Sequence, residues 1–263
     1  MAAAKKQSPL PGSRPKGART EREAAKRVRE MFSRIAPRYD FLNHFLSFTL
    51  DRAWRKRTAK EFRRILRRTD ARMLDLCCGT GDLAFALEHE RLKSFRDRGA
   101  HRMPIIGSDF AQPMLERACQ KAGVAKHHAI FVAADALQLP FPSASFDLVT
   151  AAFGFRNLAN YERGVREIAR VLKPGGEVGI LEFSEPTRGP LAPIFRFYFR
   201  RILPMVGGAI SGSLEAYAYL PRSVSKFPSP KELTQLFKSN GFGNVKAYTW
   251  NFGSVVLHRA ERI

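Results

Sequence analysis

Cysteine is scarce in this chain of 263 residues, which has only Cys77, Cys78 and Cys119. Three cysteines make no disulfide framework, and the scarcity fits a reducing compartment. Cys77 and Cys78 are adjacent, without the spacing of about two to four residues found in structural zinc sites, and no His or Cys cluster lies near them. No metal is expected. The pair reads as filling the end of a buried strand, and His127-His128 as a surface pair. Long apolar runs are also missing, since none approaches the ~20 residues needed to cross a bilayer. The basic N-terminus lacks the apolar core of a secretory signal, so a cytoplasmic protein is expected. There are no internal repeats. The 44% hydrophobic content suits one globular domain.

Acidic residues are few beside basic ones, 24 against 45, for a net charge of +21. The excess is uneven. Residues 1–72 carry 21 basic and 7 acidic side chains, residues 186–231 carry 7 and 1, and the remainder is nearly balanced at 17 and 16. Two basic elements on a neutral body imply an anionic partner, either nucleic acid or anionic lipid.

Residues 1–20, rich in Pro, Gly, Ser and Lys, read as a disordered basic tail, leaving 21–263 as one domain. Residues 21–70 are helical. Val28, Met31, Phe32 and Ile35 share a face, Pro37 interrupts, and a short helix follows. Asp51 can cap the next helix, 51–68, whose apolar face is Trp54, Ala59, Phe62 and Leu66. From Ala71 strands and helices alternate, with 91–102 as an exposed insertion. Residues 173–176 (KPGG) stop one helix. Residues 187–226 form a helical insertion. A last helix has Ser229 as N-cap with Glu232 completing a capping box, then two strands joined so tightly that they must be antiparallel. The prediction is an α/β fold: a mostly parallel sheet with helices on both faces, closed by an antiparallel hairpin.

The stretch MLDLCCGTGDLAFAL (73–87) places Gly79-Thr80-Gly81 after a strand and before a helix, as in nucleotide-binding loops. Asp109 ends the second strand, where a ribose hydroxyl is held. Asp82 at the helix N-terminus is awkward for a pyrophosphate and acceptable to a cationic cofactor, unless it only caps the helix. Asp135 closes the third strand, near an adenine amine. With Asp75 these carboxylates make an acidic rim that suits a sulfonium with an ammonium group.

LDLCCGTGD, GSDFAQPML, AADALQLPFPSASFDLVT and VLKPGGEVGILEFS resemble the motifs of class I S-adenosylmethionine-dependent methyltransferases, a Rossmann-like fold. More narrowly, MFSRIAPRYDFLNHFLS, LDRAWRKRTA, FGFRNLAN and LEFSEPTRGPLAPIF resemble the ubiquinone/menaquinone biosynthesis C-methyltransferases, from about Val28 to the C-terminus. The resemblance implies S-adenosylmethionine as methyl donor, contacted by Thr80, Asp109, Asp135 and Ala136, with Gly79 and Gly81 allowing close approach. Ala152 stands where some members have Ser, so any hydroxyl contact there is lost. The implied acceptor is a polyprenylated hydroquinone: demethylmenaquinol, or alternatively a polyprenyl-methoxy-benzoquinol.

Carbon methylation needs the electron-rich quinol, aligned at ~3–3.5 Å with the donor methyl, and a base for the phenolic proton. Arg156 can stabilise a phenolate or instead anchor its loop on a nearby acid, and Asn157 can hold a quinol oxygen. Tyr39, Asp40, Asn43 and His44 belong to a lid, with Asp40 the expected base and His44 by default a packed residue. Helix 51–68 and residues 188–201 combine Arg with Trp, Phe and Ile and are expected to sit on anionic lipid, which makes the protein peripheral on the inner face of the membrane. An RNA methyltransferase or nucleic-acid-binding module is the rival. No Asn/Asp-Pro-Pro-aromatic or Pro-Cys signature supports it, so no nucleic acid is expected.

Overall fold

The computed structural model describes residues 11–95, 102–185 and 214–263, with five isolated positions between 193 and 205. Thr20 opens helix α1 (Glu21–Ile35) by accepting from the Glu23 backbone N–H, and Ala24, Val28, Met31 and Ile35 are its buried stripe. Pro37 sits in a 3₁₀ turn (Ala36–Arg38) that leads into α2 (Tyr39–Leu46). Helix α3 (Leu50–Glu61) starts after Thr49 at φ 62°. Asp51, expected as its cap, lies in the first turn with its carboxylate bonded to His44, Ser47 and Arg55. The expected single helix 51–68 breaks at the buried Phe62 into α3 and α4 (Arg63–Leu66). Trp54, Phe62 and Leu66 are buried, so the rings expected to meet lipid from this segment fill the core instead.

The sheet has seven strands in the order β3-β2-β1-β4-β5-β7-β6. They are β1 (Met73–Leu76), β2 (Ile105–Asp109), β3 (Ile130–Ala133), β4 (Phe146–Ala152), β5 (Leu172–Phe183), β6 (Phe242–Trp250) and β7 (Val255–Arg262). Strands β1 to β5 are parallel, whereas β7 runs antiparallel to both β5 and β6. The connecting helices are α5 (Asp82–Lys93), α6 (Gln112–Ala125), α7 (Tyr161–Val171), α8 (Leu214–Lys226) and α9 (Pro230–Ser239). Strand alternation feeds two layers. Leu74 and Val149 join Val165, Ile168 and Phe237 on one face, and Met73 and Leu148 join Phe62, Leu83 and Leu87 on the other. The capping box of Ser229 and Glu232 is present.

Residues 11–20 are not a loose tail. Pro11 bridges to Asn160, the Ser13 N–H donates to Leu158 O at 2.7 Å, and the Arg14 guanidinium donates to Ala159 O at 2.6 Å. Gly12 permits this, because a Cβ there would lie 2.1 Å from the Ala159 carbonyl carbon. Residues 1–10 lie outside the described residues. Of the insertion expected over 187–226, only α8 and the isolated positions are described. Arg91, expected in an exposed insertion, is buried and donates to the carbonyls of Met103, Arg68 and Thr69. His127 is half-buried, stacked on Phe85 and bonded to Glu88.

Candidate active site

The loop after β1 is built on alternate left-handed residues: Cys77 at φ 52°, Gly79 at 55° and Gly81 at 87°. Strand β1 ends at Leu76, so the two cysteines belong to this loop and not to the strand end. Burial holds both thiols well above their ordinary range, which keeps them protonated. The turn is pinned to β2: Cys78 N–H donates to Ser108 O at 2.9 Å, and Gly79 N–H donates to an Asp109 carboxylate oxygen at 3.0 Å. The other Asp109 oxygen accepts from Ala111 N–H at 2.9 Å. Burial raises the Asp109 carboxyl above its ordinary value against these backbone donors.

Two neighbouring cavities with shared lining residues open at this rim. The larger encloses about 710 Å³, including space open to solvent. Tyr39, Gly79, Asp109, Asp135, Ala136 and Asn157 line it, between apolar walls of Phe32, Phe110, Met114 and Phe153. The smaller, about 300 Å³, is lined by Arg55, Asp75, Thr80, Asp82 and Ala152. Tyr39, Cys77 and Gly79 line both. Seven expected site residues therefore meet here. Gly81 does not; it makes room for the Phe85 and Phe131 rings, which a Cβ would approach to 2.9 and 3.0 Å.

Asp75 is the group that the sequence undervalued. It is fully buried, accepts from Thr150 Oγ1 at 2.8 Å through one oxygen, and has no partner on the other. Burial pushes it up to about 7. A buried carboxylate with an unused oxygen, lining a small cavity, fits a cationic ligand. The other carboxylates are not free. Lys121 holds Asp82 at 2.5 Å and Asp40 at 3.0 Å, and Arg55 lies 3.9 Å from Asp82 while also bonding Asp51. Burial acts against the Asp82 charge, but Arg55 and Lys121 hold its carboxyl below its ordinary value. The rim is thus a mixed network instead of an acidic one. His44, Asp51 and Asp82 gather within metal-ligand distance, with Arg55 already supplying a cation there.

Asp40 lies outside both cavity linings. It accepts from Thr80 Oγ1 at 2.5 Å and from Lys121, and so fastens α2 to the loop. Arg156 also lines neither cavity. Its guanidinium is buried on Glu182 at 3.0 Å and on Phe153 O, and Glu182 accepts from the Arg156 backbone N–H at 3.0 Å. Burial works against both charges: it raises the Glu182 carboxyl above its ordinary value, while Glu182 holds the proton on Arg156, and their contact anchors the FGFRN loop. Beside it, Tyr219 donates to Asn157 Oδ1 at 3.1 Å. That bond fixes the Oδ1 end of the amide of Asn157, a lining residue of the larger cavity, and leaves its N–H₂ as the end still able to donate. Arg55, Lys121, Glu182 and Tyr219 were not singled out from sequence. The partners of Lys121, Glu182 and Tyr219 are too distant in the chain to show a local pattern, whereas Arg55 and Asp51 stand at the i,i+4 spacing of a helical ion pair, a signal that was there to be found.

A family model described as the ubiE/COQ5 methyltransferase family matches residues 20–262. The chain belongs to that family. It is an S-adenosylmethionine-dependent methyltransferase. A ubiE/COQ5 relative from Thermus thermophilus, named demethylmenaquinone methyltransferase, is 46% identical over 88% of this chain and 100% of its own length. One of the same name from Deinococcus radiodurans is 46% identical over 82% of this chain and 84% of its own. A ubiquinone/menaquinone biosynthesis C-methyltransferase from Geobacter sulfurreducens is 39% identical over 91% and 90%. Among solved structures, a SAM-dependent methyltransferase from Thermotoga maritima aligns with TM-score 0.56 at 17% identity, covering 89% of this chain and 99% of that one. The [4+2]-cyclase SpnF aligns with TM-score 0.58 at 17% identity, covering 97% and 99%. These two likenesses concern the fold.

Proposed function

We propose that this enzyme transfers a methyl group from S-adenosylmethionine to a ring carbon of a polyprenylated hydroquinone, with demethylmenaquinol the acceptor that the 46%-identical relatives favour by name. The observation that carries the reading is the pairing of the two cavities. The smaller one presents the unused Asp75 oxygen, and the larger one presents apolar walls with the Asn157 amide. Asp75 and Thr80 would hold the donor's charged end, and Asp109, Asp135 and Ala136 its nucleoside. The donor supplies an electrophilic methyl on a positively charged sulfur. Phe153 and Asn157 confine the acceptor ring; the phenolic proton, and after transfer the proton of the methylated ring carbon, pass to solvent through the open side of the larger cavity, and the Asn157 N–H₂ donates to the phenolate oxygen. Tyr39, where both cavities meet, excludes water and aligns the ring. Asp40 serves better as a latch than as the base, because Lys121 and Thr80 already occupy its carboxylate. Among the described residues no helix is long and apolar enough to cross a membrane. The excess of basic residues over 1–72 and 186–231 supports a peripheral position against the anionic inner leaflet.

The test is methyl incorporation from labelled S-adenosylmethionine into three acceptors in parallel: reduced demethylmenaquinone, a reduced polyprenyl-methoxy-benzoquinone and tRNA. Label in the naphthoquinol is expected. Label in the benzoquinol alone would move the enzyme to the ubiquinone branch, which the Geobacter relative's name covers. Label in tRNA alone would overturn the acceptor class.

A further inference from the structure

Helix α2 has two faces of opposite character. Toward the site, Tyr39 lines both cavities and is bonded by Asn43, Asp40 fastens on Thr80, and His44 pairs with Asp51 at 2.9 Å. Away from the site, Phe41 is 61% exposed, Phe45 50%, Phe48 73%, and Leu50 at the start of α3 42%. Phe41 and Phe45 lie one helical turn apart on α2, and Phe48 follows in the turn beyond its end, at φ 51°. The Phe41 and Phe45 rings stack with centroids 5.9 Å apart. The β6–β7 hairpin tip adds Phe252, 73% exposed, beside Asn251, which accepts from Trp54 of α3 at 2.7 Å. A concentration of exposed rings on a chain of charge +21 marks a surface that is covered in use. Immediately after it, Arg52, Lys56 and Lys60 are exposed at four-residue steps along α3.

We infer that the α2–α3 corner is the element that enters an anionic lipid interface. Phe41, Phe45, Phe48 and Leu50 lie among the acyl chains, and Arg52, Lys56 and Lys60 lie at headgroup level. Apolar rings bordered by cations match such an interface in both polarity and charge. A second copy of the chain matches it poorly, because pairing this corner with itself opposes two cationic stripes. The inference rests on the proposed acceptor being a lipid, and it adds which surface meets the bilayer. It has a mechanical consequence. The helix that touches lipid is the helix latched to the donor's loop through Asp40 and Thr80, so the acceptor ring reaches the cleft while its tail remains in the membrane.

The full-length enzyme, its F41S/F45S variant and its R52E/K56E variant are compared by co-sedimentation with phosphatidylglycerol/phosphatidylcholine vesicles and with pure phosphatidylcholine vesicles at low salt. Methyl transfer is measured on vesicle-borne demethylmenaquinol and on a tail-less soluble naphthoquinol, and the oligomeric state by sedimentation velocity. F41S/F45S is expected to partition at least ~10-fold more weakly. It is expected to lose transfer to the vesicle-borne quinol in proportion and to keep transfer to the soluble one within about twofold. R52E/K56E is expected to lose selectivity for the anionic vesicles. Wild-type binding by F41S/F45S overturns the inference. So does conversion of a wild-type dimer to monomer with vesicle binding unchanged. Failure of the wild type to methylate either quinol removes the acceptor reading instead, and sedimentation still decides whether the corner meets lipid.

Discussion

Replacing Asp75 by asparagine tests the donor end of the site. The unfolded chain releases this proton near the ordinary value of 3.8, while the folded chain keeps it until about 7. Between those pH values the native state binds more protons than the unfolded one, so stability falls as pH rises. The loss is complete above about pH 7 and absent below 3.8. The gap is worth about 4 kcal/mol. In a chain of this size each kcal/mol moves Tm by roughly 2–4 °C, which amounts to about 10 °C across the window. The substituted amide keeps an acceptor for Thr150 but never ionises. The assay is a thermal melt of donor-free enzyme at intervals from about pH 4.5 to 8, wild type against D75N. The difference between the two curves, in which all other titrations cancel, is expected to move steadily in favour of D75N as pH rises. On the proposed reading the donor's cationic end pairs with the charged carboxylate, so the affinity of the wild type for S-adenosylmethionine is expected to rise over the same interval while that of D75N stays flat. Parallel melting curves would refute the reasoning.

Two further substitutions separate roles within the lid and the loop. Asp40→Asn is expected to weaken donor binding by about 5–10-fold by calorimetry, with kcat reduced less than ~10-fold; a kcat loss of about 10²–10⁴ with binding unchanged would restore Asp40 as the base. Glu182→Ala leaves the buried Arg156 guanidinium without its carboxylate and is expected to cost about 3–5 kcal/mol in urea unfolding, and a loss below about 1 kcal/mol would show that the loop is anchored otherwise.

The order of helices and strands was legible because each element declares itself locally. The Gly79-Thr80-Gly81 loop, the capping box at Ser229 and the tight β6–β7 connection need only a few consecutive residues to recognise. The antiparallel closure followed from loop length alone. Pairings between distant residues left no such trace. Lys121 reaches Asp40 across 81 residues, Arg156 reaches Glu182 across 26, and nothing in either neighbourhood specifies the partner. Asp40 looked like a base because an unpaired carboxylate near a site usually is one, and its ion pair became visible only in three dimensions. Cys77 and Cys78 read as the end of a buried strand because they follow its apolar residues, and the left-handed backbone of Cys77, φ 52°, leaves no mark in the sequence, since it is rare for a residue with a Cβ. Residues 11–14 looked disordered by composition, but one glycine was enough to let that backbone press against Ala159.

That N-terminal strap bears on the order in which the site is finished during synthesis. Ser13 hydrogen-bonds Tyr219 at 2.6 Å across 206 residues, and Tyr219 in turn holds Asn157. At roughly 5–20 residues per second, the strap waits about 10–40 s for Tyr219 to be made. Until then the Asn157 amide lacks its Tyr219 partner, and this wall of the larger cavity stays incomplete even though the Gly79–Gly81 loop and its strands have long been translated. The strap also precedes residue 20, where the match to the family begins. A truncation to the matched residues would spare every side chain that lines the two cavities of the site and still remove Ser13, the residue that braces Tyr219 against Asn157.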